Sequence, residues 1–165
     1  MKKKFGIIGS PIQHSLSPTL HNYWFKKYKI DASYSTIEPK DTELSEIVKK
    51  IKKRDLVGLN ITLPYKQKIV PYLDKLVNDA EITSSVNTVY LDNDDTIVGE
   101  NTDVFGLQAA YLKEVDNINK KSALVIGAGG VSPSVLLSLE KSGVKNISII
   151  NRTKEKCIFL KNKFK

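Results

Sequence analysis

Residues 58–69, GLNITLPYKQKI, bring an amide, a hydroxyl and an amine close together as Asn60, Thr62 and Lys66. An amide and a hydroxyl can each donate and accept hydrogen bonds. An amine can hand over a proton as ammonium and take one back when neutral. Leu59, Ile61 and Leu63 alternate with the polar pair, as in a half-buried strand, and Pro64 ends the ladder before Lys66. Read alone, this pattern also describes a surface edge strand.

Three further segments carry polar groups at the ends of expected strands. In SPIQHSLSPTLHN, Ser15 and Ser17 sit where a loop enters a helix, an arrangement suited to holding a carboxylate. SSVNTV sets Asn87 and Thr88 beside a strand, and GENTDVFG puts Asp103 at a helix start. Each has a plainer alternative: Ser17 and Asp103 as helix caps, Asn87 as a turn residue. His14 and His21 lack companions for a metal site, and no metal is expected.

A second kind of chemistry is written in LVIGAGGVSPS. Gly127, Gly129 and Gly130 follow an apolar strand and precede a helix, the context in which a glycine turn receives a pyrophosphate at the helix N-terminus. Ser132 stands where the full fingerprint has a third glycine, and the glycines could serve the turn alone. The next strand ends in Asn151, Arg152 and Thr153, with no acid for a ribose 2′-hydroxyl and an arginine able to meet a 2′-phosphate. NADP is therefore expected over NAD.

The elements that would position these groups alternate along the chain. Strands are expected at Phe5–Gly9, Ala32–Glu38, Leu56–Thr62, Val86–Leu91, Thr96–Glu100, Ala123–Ile126 and Asn146–Ile150. Helices are expected from Ser17 as N-cap with Pro18 first inside, over Asp41–Arg54, near Leu73–Ile82, over Val104–Val115 and Val131–Ser142, and after Thr153 as cap. Leu44, Ile47, Val48 and Ile51 fall on one helix face, as do Val104, Leu107, Tyr111 and Val115. The polar run 116–121 reads as a linker between an α/β domain at 1–115 and a second one at 122–165.

The totals fit an ordinary globular protein of 165 residues, 41% hydrophobic and 27% charged, with net charge +8. Only Arg54 and Arg152 are arginines, and the lysines are dispersed, which argues against a nucleic-acid reader. The single cysteine, Cys157, excludes an intrachain disulfide and is expected to be a small buried residue. The apolar run after the basic start, Phe5–Ile8, is too short for a signal core or a membrane span; cytoplasmic residence is expected.

Taken in order, GSPIQHSLSPTLHN, GLNITLPYK, VNT, GENTD, GAGG and NRT resemble the shikimate dehydrogenase family over essentially the whole chain. The resemblance implies an α/β protein: an N-terminal substrate-binding domain with a mixed sheet, then a partial Rossmann NADP-binding domain. The active site would lie in the cleft between them. Carried over by position, Ser15 and Ser17 would hold the shikimate carboxylate, and Thr62, Asn87 and Asp103 the ring hydroxyls, with Asn60 in support. Lys66 would be the acid/base paired with Asp103. Gly127, Ala128, Gly129, Gly130 and Val131 would receive the pyrophosphate, and Asn151, Arg152 and Thr153 the 2′-phosphate. The implied reaction is reversible NADPH-dependent reduction of 3-dehydroshikimate, by a monomer or homodimer. A quinate-accepting relative and a non-catalytic binding module are the alternatives.

The chain departs from the family pattern at Ser85, usually a smaller residue, at Pro133, often basic, and at Asn78, often acidic. The family also continues past the position matching Lys165, with more Rossmann strands, nicotinamide contacts and a substrate-binding glutamine. The first domain is accordingly expected to fold alone, and residues 122–165 to be marginal, self-associating or completed by further sequence. Hydride transfer by the 165 residues alone is expected to be negligible.

Overall fold

The computed structural model describes residues 2–164. Its elements are β1 (Lys3–Ile8), α1 (Ser17–Lys27), β2 (Ala32–Ile37), α2 (Leu44–Lys52), β3 (Gly58–Ile61), β4 (Lys75–Leu76) and α3 (Asp79–Thr83). After these come β5 (Thr88–Leu91), β6 (Ile97–Glu100), α4 (Asp103–Ala110), β7 (Ser122–Ile126), α5 (Ser132–Lys141), β8 (Asn146–Ile150) and α6 (Lys154–Lys163). The fold is α/β with a mixed six-stranded sheet in the order β2-β1-β3-β5-β6-β4 and a separate parallel pair, β7-β8.

Strand direction is what gathers the polar residues. β1 runs parallel to β2 and β3, while β5 is antiparallel to both β3 and β6. The C-terminal ends of β1, β3 and β6 therefore meet the N-terminal end of β5 at one end of the sheet. The loop carrying Ser15 and the segments carrying Lys66, Asn87 and Asp103 all leave from that end.

The core lies between this sheet and α2, whose apolar period points Leu44, Ile47, Val48 and Ile51 inward, all nearly solvent-free. Each such side chain contributes roughly 1.5–3 kcal/mol when buried. Tyr34, Ile7 and Ile12 form a smaller cluster beneath α1, with Phe5 and Phe25 packed on it. Among the described residues no helix is long and apolar enough to cross a membrane.

Several local expectations need correction. Ser17 is the first helical residue rather than the cap: the cap position is Leu16, which already has helical dihedrals and makes no side-chain cap bond. The stretch 73–82 is not one helix. A 3₁₀ turn at Val70–Tyr72 and the two-residue β4, which exists only by pairing with β6, precede the short α3. The helix from Asp103 closes at Ala110, so Tyr111 is turned outward and 69% exposed rather than sharing the inner face with Val104. Thr153 sits at the cap position of α6 without a side-chain cap bond.

In the second unit, Val125, Leu136, Leu139, Val144 and Leu160 cluster between the β7-β8 pair and its two helices. Leu124, Ile126 and Ile150 face the other way and stay exposed. A hollow of about 960 Å³ runs along β8 and α6. Cys157 lines it and is half-buried, short of the full burial expected, because β8 pairs on one side only among the described residues.

Candidate active site

The segment after β3 delivers Lys66 to the gathering end of the sheet, where its Nζ donates to Asp103 Oδ2 at 2.6 Å. The two side chains are only 14% and 21% exposed, so the pair is largely withdrawn from water. Asp103 opens α4, where the helix dipole favours a carboxylate. Its other oxygen, Oδ1, accepts from Asn87 Nδ2 at 2.9 Å. Asn87 is fixed in turn, its Oδ1 accepting from the Thr102 backbone at 3.1 Å and the Thr88 hydroxyl at 3.0 Å. The result is a continuous run from amine to carboxylate to amide.

Asn60 lies one strand over, at the point where β3 faces β5. Its Nδ2 donates to the Asn87 carbonyl at 3.2 Å and its Oδ1 accepts from the Tyr34 hydroxyl at 2.7 Å. The pattern of residues 58–69 thus describes an interior strand between β1 and β5, not a surface edge. Thr62 follows just past the end of β3, half-buried, against Gly9, where an added Cβ would come within 2.6 Å of the Thr62 methyl. The Ser10 N–H donates to the Leu63 carbonyl at 3.0 Å, tying the loop that leads to Ser15 onto this edge. Ser15 Oγ accepts from the Ser17 N–H at 3.3 Å, and both serines are half-buried. No hydrogen bond among the described residues joins these serines to Lys66, Asn87 or Asp103.

The second unit meets the first next to Lys66. A Cβ added at Gly130 would lie 3.6 Å from Lys66 Cβ, whereas at Gly127 and Gly129 it would meet nothing within 4 Å. Gly127 takes φ +110°, which a side chain would strain, and its N–H donates to the Ile150 carbonyl at 2.8 Å. Asn151 Oδ1 accepts the Ala128 N–H at 3.1 Å and its Nδ2 donates to the Thr153 carbonyl at 2.9 Å, so Asn151 holds the glycine turn in shape. Arg152 and Thr153 are exposed beside that turn, as is Val131. An open glycine turn at the start of α5, with an exposed arginine at its flank, fits a phosphate-bearing nucleotide.

Three residues that organise this region, Tyr34, Asn22 and Asn101, left only faint marks in the local pattern. Tyr34 is 6% exposed and stacks on His21, with rings 4.2 Å apart and 6° from parallel. Asn22 clasps the Tyr34 backbone, donating to its carbonyl at 2.8 Å and accepting its N–H at 3.0 Å. Asn101 sends its Nδ2 to the Ser85 carbonyl at 2.7 Å and to Ser134 Oγ at 2.8 Å, while its Oδ1 receives the Asp103 N–H at 2.9 Å. The HN pair after SPTL and the Asn of GENTD were the available hints.

Burial pushes the Tyr34 phenol up to about 12 from an ordinary value of 10. The folded state therefore keeps a proton that the unfolded chain loses first. The stabilisation is whole below pH 10 and drains away as pH rises toward 12. Absorbance titration at 295 nm should resolve one tyrosine ionising last, with stability falling over the same interval. Tyr34→Phe should remove that late step; a late step unchanged in Tyr34→Phe would assign it to another tyrosine.

Comparison with known proteins bears on what this arrangement does. The family model described as the shikimate dehydrogenase substrate binding domain matches residues 7–89, and that described as shikimate / quinate 5-dehydrogenase matches residues 109–165. The NADP(+) shikimate dehydrogenase of Pelagibacter ubique is 47% identical over 99% of this chain and 62% of its own length. The crystal structure of the Aquifex aeolicus shikimate dehydrogenase superposes with TM-score 0.90 at 37% identity, over 99% of this chain and 60% of that one. The Thermus thermophilus enzyme, solved in complex with NADP(H) and shikimate, gives TM-score 0.85 at 31% identity, covering 98% of this chain and 60% of that one. The chain thus spans about three-fifths of the length of these relatives.

Proposed function

Since this chain belongs to the shikimate dehydrogenase family, we propose that it carries the substrate site and part of the nucleotide site of an NADP-dependent shikimate dehydrogenase. The observation that carries the reading is the hydrogen-bonded run Lys66–Asp103–Asn87 facing the glycine turn. In the assignment, Asp103, Asn87 and Thr62 take the ring hydroxyls and Ser15 and Ser17 the carboxylate. Asn60 supports Asn87 from the neighbouring strand. The turn 127–131 takes the pyrophosphate, and Arg152 with Asn151 and Thr153 the 2′-phosphate. We divide the chain accordingly into 1–115, a linker at 116–121, and 122–165, which follows the two separate sheets. Cytoplasmic residence and a monomeric or dimeric state belong to the same proposal.

The nucleotide, when bound, supplies the hydride that reduces the ketone. As the ketone carbon becomes sp³, charge builds on its oxygen, and the Lys66 ammonium is positioned to give that oxygen a proton. Asp103 keeps the amine aimed and accepts a hydrogen bond from a neighbouring hydroxyl. In the oxidative direction the neutral amine takes the hydroxyl proton. Asn87 fixes the carboxylate from the side opposite Lys66, so the pair cannot rotate freely.

Calorimetric titration of shikimate into the chain should give saturable binding that Asp103→Asn weakens about tenfold or more, the effect of losing a charge-assisted bond. An absence of saturable heat with the folded wild-type chain would remove the substrate assignment.

A further inference from the structure

Ser85 is fully buried, in the segment joining α3 to β5. Its Oγ donates to the Gly130 carbonyl at 2.7 Å, a bond that crosses from the substrate unit to the glycine turn. On its own side Ser85 belongs to a block that also carries both groups of the proton-transfer pair. The next residue, Val86, donates its N–H to the Lys66 carbonyl at 2.8 Å. The Ser85 carbonyl accepts from Asn101, which holds the Asp103 N–H. Gly130 itself packs against the Lys66 stem.

We propose that Ser85 is a positioning residue: its hydroxyl fixes the glycine turn at a set distance from Lys66, coupling where the nucleotide sits to where the proton is delivered. The proposal deepens the dehydrogenase reading and rests on it for its consequence, nucleotide affinity, though not for the latch itself. Three properties support the role. The bond is short, and its donor is solvent-free, so little water competes for the hydroxyl. It ends on the turn's backbone, so it constrains the loop without occupying the face that a phosphate would approach. Among the described residues the other cross-unit side-chain bonds, Asn101 to Ser134, Ser138 to the Val104 carbonyl, Gln108 to Ser142, Lys141 to Asp79 and Lys163 to Ser84, engage α5, its C-terminal end or α6, so Ser85 alone among these restrains the turn directly.

Ser85→Ala removes the donor and leaves the volume nearly unchanged. Hydrogen exchange of the amides in 128–132, followed by mass spectrometry without any ligand, should speed up about fivefold or more, while exchange in α2 stays as in the wild type. In the same variant NADPH affinity should fall about 3- to 10-fold, with shikimate affinity within twofold of wild type, because one neutral hydrogen bond acting through the turn is worth a factor of that size. Ser85→Cys, similar in size but a weaker donor, should fall between the two, and it takes the place of the alanine variant if that fails to fold. Unchanged exchange in 128–132 overturns the latch. Faster exchange with equal losses for both ligands also overturns it, leaving Ser85 as a general packing residue. A wild-type chain that binds no NADPH refutes the nucleotide assignment, and the exchange measurement still decides the latch.

Discussion

Lys66→Ala should lower turnover of shikimate about 100- to 10,000-fold, in this chain or in a version extended to its relatives' length, whichever turns over. That is the range by which a positioned proton donor accelerates a step whose proton transfer would otherwise fall to water. Shikimate affinity should change far less, since Asn87 still holds Asp103 through Oδ1. The variant leaves a largely buried carboxylate without its cation, so some loss of thermal stability is expected alongside. The two effects separate in one set of measurements: turnover at saturating substrate reports the chemistry, and a melting curve reports the orphaned charge. A turnover number equal to wild type would take Lys66 out of the mechanism. Asp103→Asn should behave differently, costing both turnover and affinity, because that carboxylate is assigned to the substrate as well as to the lysine.

Arg152→Ala should weaken NADP about 10- to 100-fold while leaving NAD within about twofold. The guanidinium lies exposed at the end of β8, one residue past the Asn151 amide that shapes the glycine turn. Only the 2′-phosphate of NADP offers it a doubly charged partner, and a charge-assisted contact is worth roughly twice a neutral one. Affinities for the two nucleotides, measured by fluorescence on wild type and variant at one salt concentration, decide the matter. Equal losses would mean that Arg152 contributes a general field, or supports the turn, rather than reading the phosphate.

Much of the architecture could be read from periodicity because burial dictates it directly. The four apolar residues of α2 recur at helical spacing, and all four are in the core. The alternation before Pro64 likewise marked a strand. What could not be read was anything decided by a partner far along the chain. β4 is two residues long and takes its conformation from Val98 and Gly99, about twenty positions away. The Tyr34 hydroxyl finds Asn60 across β1, and Ser85 finds Gly130, contacts that leave no periodic trace. Residue types told which groups could do chemistry; strand direction, invisible locally, brought Lys66, Asn87 and Asp103 together.

The β5–β6 hairpin also offers a handle for instrumenting the protein. Its open end bears Asn87 and Asp103, while its closed end, Asp92–Asp95, lies four residues down each strand, roughly 14 Å away at about 3.4 Å per residue. The turn is self-contained, with Asp92 Oδ1 accepting the N–H groups of Asp94 and Thr96. Its outward ties, Arg54 to the Asp95 carboxylate and Lys52 to the Asp95 carbonyl, are exposed, and the loss of such surface contacts costs little. Asp94 is exposed, and the native Cys157 is half-buried in α6. A dye attached through Asp94→Cys would therefore label the far end of the sheet in preference to the native thiol. It would mark that end of the sheet without touching any group assigned to the chemistry.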